Sequence, residues 1–248
     1  MAEIVIDARN VSVKYIIGDL KEIGLKDFVI KKLRCDYNIQ EFFAVNDVTF
    51  SMERGDFLGI VGTNGAGKST LLKVITQIMR PSMGTIGVNG KIAALLELGS
   101  GFDNELTVKE NVYLRGAMLG YTRDFINQKY EEIIDFAELR GFENRYFRTL
   151  SSGMKSRIAF SISCLVEPEI LILDEVLSVG DGAFREKSEN KMQEIIGNGV
   201  ATILVSHSLE QIRKMCNKVL WLNHGCQVAF GETEEICDAY EEFLKEKR

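Results

Sequence analysis

With 248 residues, 46% of them apolar and 27% charged, the chain can bury a full core and has neither the polarity of a disordered segment nor the size of a stapled peptide. A net charge of −6 argues against nucleic acid as the main partner, because phosphate-backbone binding draws on surplus Lys and Arg. The cysteines are odd in number and form no Cys-x-x-Cys pair, so neither a disulfide framework nor a zinc site is supported, and a reducing cytosol fits best.

In chain order, the start Met1 to Asp7 carries the acids Glu3 and Asp7 where a secretory leader needs a basic start and an apolar run. No later stretch approaches the roughly 20 apolar residues that span a bilayer. Residues 3 to 15 and 44 to 52 alternate as half-buried strands, with Val45, Val48, Phe50 and Met52 approximating one period-2 set. Between them, residues 20 to 34 place Leu25, Phe28, Val29 and Leu33 at helical spacing among Lys21, Lys26, Lys31, Lys32 and Arg34. This predicts a short amphipathic helix, with an ordinary surface hairpin as the alternative. Phe57 to Val61 is a compact apolar strand running into a glycine-rich loop, and residues 69 to 79 have the pattern of the helix that follows. Pro81 and Gly84 mark a turn, and further strands are expected around Thr85 to Leu96. Residues 107 to 147 switch to helical periodicity, as an inserted helical lobe would. Strands resume at 169 to 173, 200 to 205, 218 to 222 and 226 to 230, and a helix-like acidic segment covers 232 to 247. Strands alternating with helices predict an α/β fold built on a mostly parallel sheet with helices on both faces, and an antiparallel β portion at its N-terminal side.

Gly62, Thr63, Asn64, Gly65, Ala66, Gly67, Lys68 and Ser69, followed by Thr70, fit a P-loop at every fixed position. Its glycines let the main chain approach a β-phosphate, and the helix beginning there offers free N–H groups to an anion. Lys68 would bridge the β and γ oxygens, and Ser69 would ligate Mg2+. Ile170 to Leu173 is a continuous apolar strand ending in Asp174 and Glu175. There Asp174 would serve the magnesium shell and Glu175 would polarise a water in line with the γ-phosphate. His207, directly after the strand at 201 to 205, stands where ligands collect in open α/β folds and would sense the γ-phosphate; His224, at a turn, is assigned nothing. Ser151, Ser152 and Gly153, opening a helix, are a second phosphate-binding surface. One chain cannot easily fold both surfaces onto the same γ-phosphate, so two copies are expected to enclose it.

This order of motifs, from the P-loop through the helical lobe, Ser-x-Gly, Asp-Glu and Ser-Val-Gly-Asp at 178 to 181 to the histidine, resembles the ATP-binding cassette of ABC transporters over nearly the whole chain. The resemblance implies a head-to-tail homodimer closing on two ATP molecules, each held between one P-loop and the other copy's Ser151 and Gly153. It further implies that Asp181 joins the two sites, that Tyr15 stacks on adenine, and that Glu97 or a neighbour takes the place of the usual glutamine before the helical lobe, near the magnesium. The usual Leu-Ser-Gly-Gly-Gln stands here as Leu-Ser-Ser-Gly-Met. Together with Glu105-Leu106-Thr107, Glu110-Asn111-Val112 and Leu177 to Asp181, this variant resembles the ATPase subunits that export O-antigen and teichoic-acid chains. The helix at 20 to 34 is similar to the gate helix of that subfamily.

The reading is then a single ATPase domain, with a core lobe at about 1–96 and 167–248 and a helical lobe at about 97–166. It would sit at the cytoplasmic face of the membrane beneath an integral permease subunit, contacting the glycan only indirectly. Some relatives carry a carbohydrate-binding domain after the ATPase; since the sequence ends at Arg248, substrate recognition is expected to rest with the permease. The rivals are a soluble cassette ATPase of translation or DNA repair, a lipid or drug exporter subunit, and a P-loop kinase or GTPase. The last leaves Ser151 to Gly153 unexplained, and no Asn-Lys-x-Asp guanine motif is present.

Overall fold

The computed structural model describes residues 3–17, 40–95, 101–165, 168–174 and 182–246. The amphipathic helix expected at 20 to 34 lies outside the described residues, as do Glu97, Glu175 and Leu177 to Asp181. In chain order the first elements are β1 (Ile4–Ile17), β2 (Gln40–Glu53), β3 (Phe57–Val61), α1 (Lys68–Ile75), β4 (Met83–Val88), β5 (Ile92–Ala94), α2 (Val108–Met118) and α3 (Arg123–Ala137). A 3-10 turn (Phe147–Thr149) then precedes α4 (Ser152–Leu165), β6 (Ile170–Asp174), α5 (Gly182–Gly197), β7 (Ala201–Val205), α6 (Leu209–Met215), β8 (Lys218–Asn223), β9 (Cys226–Glu232) and α7 (Thr233–Glu246).

The strands form one sheet in the order β4-β1-β2-β9-β8-β3-β7-β6-β5. Strands β8, β3, β7, β6 and β5 run parallel, while β4, β1 and β2 form an antiparallel arm. β3 and β7 are buried along their whole length, as expected of parallel strands covered on both faces. Alternate residues divide between the faces: Leu58 and Ile60 join the cluster over α1 and the arm, and Phe57 and Val61 join the cluster under α5, α6 and α7. In the arm the period-2 pattern slips where Asn10 and Asp47 take left-handed φ values of 50° and 55°, and Asn10 Nδ2 donates to Asp47 Oδ1 at 2.8 Å. Asn and Asp tolerate that region because their short side chains hydrogen-bond locally.

Helices α2, α3 and α4 pack around a third cluster that includes Val112, Ile126, Ile133, Ile134 and Ile158. Their starts are set by sequence. Thr107 and Glu110 form a reciprocal capping box on α2, and Thr122 caps α3. Asn111 is fully buried, so its amide must be satisfied inside. It donates to the carbonyls of Asp103, Leu106 and Thr107 and accepts from Asp103 N–H, which folds the loop before α2 back onto the helix. α4 belongs to two cores at once. Ile158 and Ile162 face the helical cluster, whereas Phe160 and Cys164 face the cluster beneath the sheet. There Phe160 and Phe184 cross edge-on at 6.1 Å, and each fully buried ring contributes about 1.5–3 kcal/mol over exposure.

Several bounds differ from the sequence reading. The helix expected to reach 79 ends at Ile75, because Gln77 turns into the left-handed region with φ 60° and Met79 N–H folds back to Lys73 O at 2.9 Å. β2 begins at Gln40 rather than 44: Phe42 and Phe43 pair with Tyr15 and Lys14, extending the arm beyond its buried stretch.

Candidate functional site

The site is assembled at the carboxyl ends of three neighbouring strands. Ile60 of β3 pairs with Val205 of β7, and Val205 pairs with Asp174 of β6. The P-loop that follows β3, the backbone of Asp174 and the Ser206-His207 turn therefore leave the sheet at one level. At roughly 4.8 Å between neighbouring strands, about 10 Å separates the β3 end from the β6 end. That span matches a phosphate chain with its cation.

The loop's shape depends on glycine. A Cβ on Gly62 would lie 2.3 Å from Leu222 O, and one on Gly67, where φ is 100°, would lie 2.3 Å from Ala44 O. Gly67 is also the residue before α1, and it offers no side-chain cap. Leu71 N–H is satisfied by Gly67 O, so the earlier N–H groups of this helix face outward without a side-chain acceptor from the capping position. Helices α2, α3 and α6, by contrast, are closed by Thr107, Thr122 and Ser208. An uncapped start, bare backbone and a lysine together make an anion seat. Lys68 Nζ curls over the loop, donating to Gly62 O at 2.6 Å and Thr63 O at 3.1 Å. Ser69 is exposed at the same helix start, and Thr70 follows it, half-buried.

Two devices that the motif alone does not reveal act at the two ends of β3. At its amino end, away from the loop, Asp56, 7% exposed, accepts from Glu53 N–H (2.7 Å), Asn217 Nδ2 (2.9 Å) and Lys218 Nζ (2.8 Å). Burial alone would raise its pKa, but the bonds from Lys218, Glu53 and Asn217 outweigh burial and hold the carboxyl below the ordinary 3.8. At the carboxyl end of β3, beside the loop, Ala44 is an extra residue in β2: Val45 pairs with Val13 and Phe43 with Lys14, so Ala44 bulges and brings its carbonyl against Gly67.

His207 is exposed beyond β7 in a turn fixed by its neighbours. Ser206 Oγ donates to Gln211 Oε1 at 2.9 Å, Ser208 N–H donates to Ser206 Oγ, and Ser208 Oγ accepts from Gln211 N–H to start α6. Tyr15, 38% exposed, pairs across the arm with Phe42, two residues from the bulge, and its hydroxyl rests on Met79 Sδ at 3.6 Å. Ser151 caps α4, its Oγ accepting from Met154 N–H at 3.2 Å; it and Ser152 are exposed, with Gly153 half-buried behind them. The residues buried beneath Ser151 and those buried beneath the P-loop belong to different clusters, so the two phosphate-binding surfaces stand on separate supports. Among the described residues no cluster of three or more His, Cys, Asp or Glu could cage a metal ion.

Beside the P-loop helix a cleft of about 640 Å³ opens between α1, β5 and α2. It is lined in part by Lys73, Ile78, Lys91, Arg115 and Met118. Ile78 and Met118 are 64% and 61% exposed, an apolar rim left open by the other described residues.

A family model described as ABC transporter matches residues 45–178. The O-antigen export system ATP-binding protein RfbB of Klebsiella pneumoniae is 36% identical over 244 residues, covering 98% of this chain and 99% of that protein. The teichoic acids export ATP-binding protein TagH of Bacillus anthracis is 41% identical over 236 residues, covering 95% of this chain, which spans 42% of that protein's length. Among solved structures, an ATP-binding subunit of an ABC transporter superimposes with a TM-score of 0.70 at 22% identity, covering 96% of this chain and 93% of that one. A dimeric ATP-binding cassette in a post-hydrolysis state with ADP and Pi superimposes with a TM-score of 0.67 at 20% identity, covering 92% and 98%.

Proposed function

Because the chain belongs to the ABC transporter family, we propose that it is the ATP-hydrolysing subunit of an exporter of a lipid-linked polysaccharide of the O-antigen or teichoic-acid type. The observation that carries the ATPase reading is the strand register that sets the P-loop, Asp174 and His207 side by side. The glycan class is supported by similarity along the full length of an O-antigen export protein.

In this reading Gly65, Gly67 and Lys68 receive the β- and γ-phosphates, with Tyr15 against the adenine and Thr63, Asn64, Ala66 and Thr70 completing the seat. Ser69 and Asp174 would hold Mg2+. Two protein oxygens suit that ion, which keeps waters and phosphate oxygens rather than entering an all-protein cage, and which when bound offsets the charge of the phosphates. Glu175 orients the attacking water and His207 reads the γ-phosphate. Ser151, Ser152 and Gly153 of a second copy close the site, with Asp181 between the two sites and Glu97 at the junction with the helical lobe. We assign residues 97–166 to that lobe and the remainder to the core.

The exposed apolar rim at Ile78 and Met118 supports a partner seated on the cleft, here a membrane permease that handles the glycan itself. Among the described residues no helix is long and apolar enough to cross a membrane, and the proposed place of this subunit is peripheral, at the cytoplasmic face. Catalysis by positioning and electrostatics makes Glu175→Gln the test. The variant should bind MgATP within threefold of wild type, hydrolyse it at least about 100-fold more slowly, and accumulate as a dimer in light scattering. Wild-type turnover, or a strictly monomeric variant in saturating MgATP with its permease, overturns the reading. Loss of surface glycan on Lys68→Ala in the producing cell tests the substrate; unchanged glycan with altered lipid content would point to a different cargo.

A further inference from the structure

The β8–β9 turn at residues 223–226 and the strand end before it touch the P-loop at two points. Leu222 O lies against Gly62, and Gly225 N–H donates to Ala66 O at 3.1 Å. On its other side Gly225 O accepts from Asn46 N–H of β2 at 2.8 Å. The register between β2 and β9 consists of the pair Asn46 and Cys226, so the antiparallel arm meets the parallel core at this turn. His224 and Gly225 both have positive φ, 48° and 81°, as a tight two-residue hairpin turn requires.

We infer that Gly225 is a positioning residue for nucleotide binding, holding the Ala66–Gly67 peptide so that Gly67 N–H faces the phosphates. This rests on the ATPase reading above. In a planar trans peptide the carbonyl and the following N–H point in opposite directions. Anchoring Ala66 O outward on Gly225 therefore aims Gly67 N–H inward, at the helix start where the anion sits. Gly225 suits the place for two reasons: its φ is 81°, and a Cβ there would come within 3.0 Å of the carbonyl oxygens of both Phe43 and Ala44. An added methyl therefore asks the hairpin tip and the bulge to part by a few tenths of an ångström, and the Ala66 carbonyl bonded to the tip moves with it. The arm that carries Tyr15 thereby meets the phosphate seat twice, directly where Ala44 O lies against Gly67 and again through this turn.

Gly225→Ala should raise KM for ATP and Kd for ADP by the same factor, at least tenfold, with kcat within threefold of wild type. The control is Gly141→Ala, which has the same φ of 81° but open space around the added methyl, in a helical-lobe loop. It shares the left-handed φ without the close contacts and should leave KM unchanged. A Gly225→Ala protein with wild-type KM, or a Gly141→Ala protein with an equal rise, overturns the assignment. Should Gly225→Ala fail to fold, hydrogen exchange on the wild-type protein decides. ADP should slow exchange of the Gly225 amide together with that of Gly67, whereas unchanged exchange at Gly225 refutes the coupling. Absence of saturable ATP binding by the wild type would instead defeat the ATPase reading on which the inference stands.

Discussion

Replacing Asp56 by alanine tests whether the base of β3 is held by charge. The carboxylate is nearly buried, with 9% of its side chain exposed, while Lys218 keeps 26%. Hydrogen bonds to charged groups are each worth about 1.5–3 kcal/mol, and orphaning one partner of a fully buried pair costs about 3–5. Because Lys218 can still reach water, the lower end applies, and the expected loss is about 3 kcal/mol. For a chain of this length that lowers Tm by roughly 6–12 °C. Urea denaturation followed by circular dichroism reads the loss directly. The double variant Asp56→Ala/Lys218→Met should be less destabilised than the sum of the singles, since removing both charges leaves neither stranded. The pH sign follows from the depressed carboxyl. Asp56 contributes its full stabilisation above the unfolded-state value near 3.8 and loses it as pH falls through the lower folded value. The difference between wild type and Asp56→Ala should thus be flat from pH 8 to 5 and shrink below 4. A loss under about 1 kcal/mol at pH 7, or a loss that grows on acidification, would refute the reasoning.

Gly67→Ala puts a methyl 2.3 Å from Ala44 O, so the loop must retreat by most of an ångström. Displacements of that size cost on the order of 100-fold, and steady-state ATPase kinetics should show such a fall in kcat/KM, a larger one than for Gly65→Ala, which shares a positive φ of 77° but meets no neighbour within 4 Å. Asn111→Ala strands the backbone groups its amide satisfies; urea unfolding should show a loss of about 2–3 kcal/mol. Tyr15→Ala should weaken ATP binding by roughly two- to tenfold, the value of an aromatic stack, while Tyr15→Phe binds as wild type in titration calorimetry. His207→Ala should reduce turnover by about 100-fold with ATP affinity retained, read by comparing single-turnover rates with equilibrium binding.

The elements most legible in sequence are those whose residues act locally. The P-loop announces itself because its glycines, lysine and serine are consecutive, and β3, β6 and β7 because strands buried on both faces read as unbroken apolar runs. The helix caps at Thr107 and Thr122 are equally local, each threonine accepting from the amide three residues on. What escaped depends on contacts between distant segments. Asp56 looks like a loop acid until it meets Asn217 and Lys218, about 160 positions away. The bulge at Ala44 is invisible because an extra residue in a strand changes only the pairing register, and its purpose appears only when Gly67 and Gly225 come against it. The Asn223-His224-Gly225 turn did carry a signal, a hairpin tip between two apolar strands, but nothing in its composition pointed to a phosphate loop.

Helix α4 sends side chains into two cores and presents Ser151 at its tip. Its 14 residues make a rod about 21 Å long. A tilt of about 5° at its base would carry the tip by nearly 2 Å, several times the ~0.5 Å within which a binding group must be held. A repacking around Phe160 or Phe184 that tilts the helix by that much would therefore detune a remote hydroxyl. Substitutions in that aromatic knot should reveal themselves as lost turnover well before they register as lost stability.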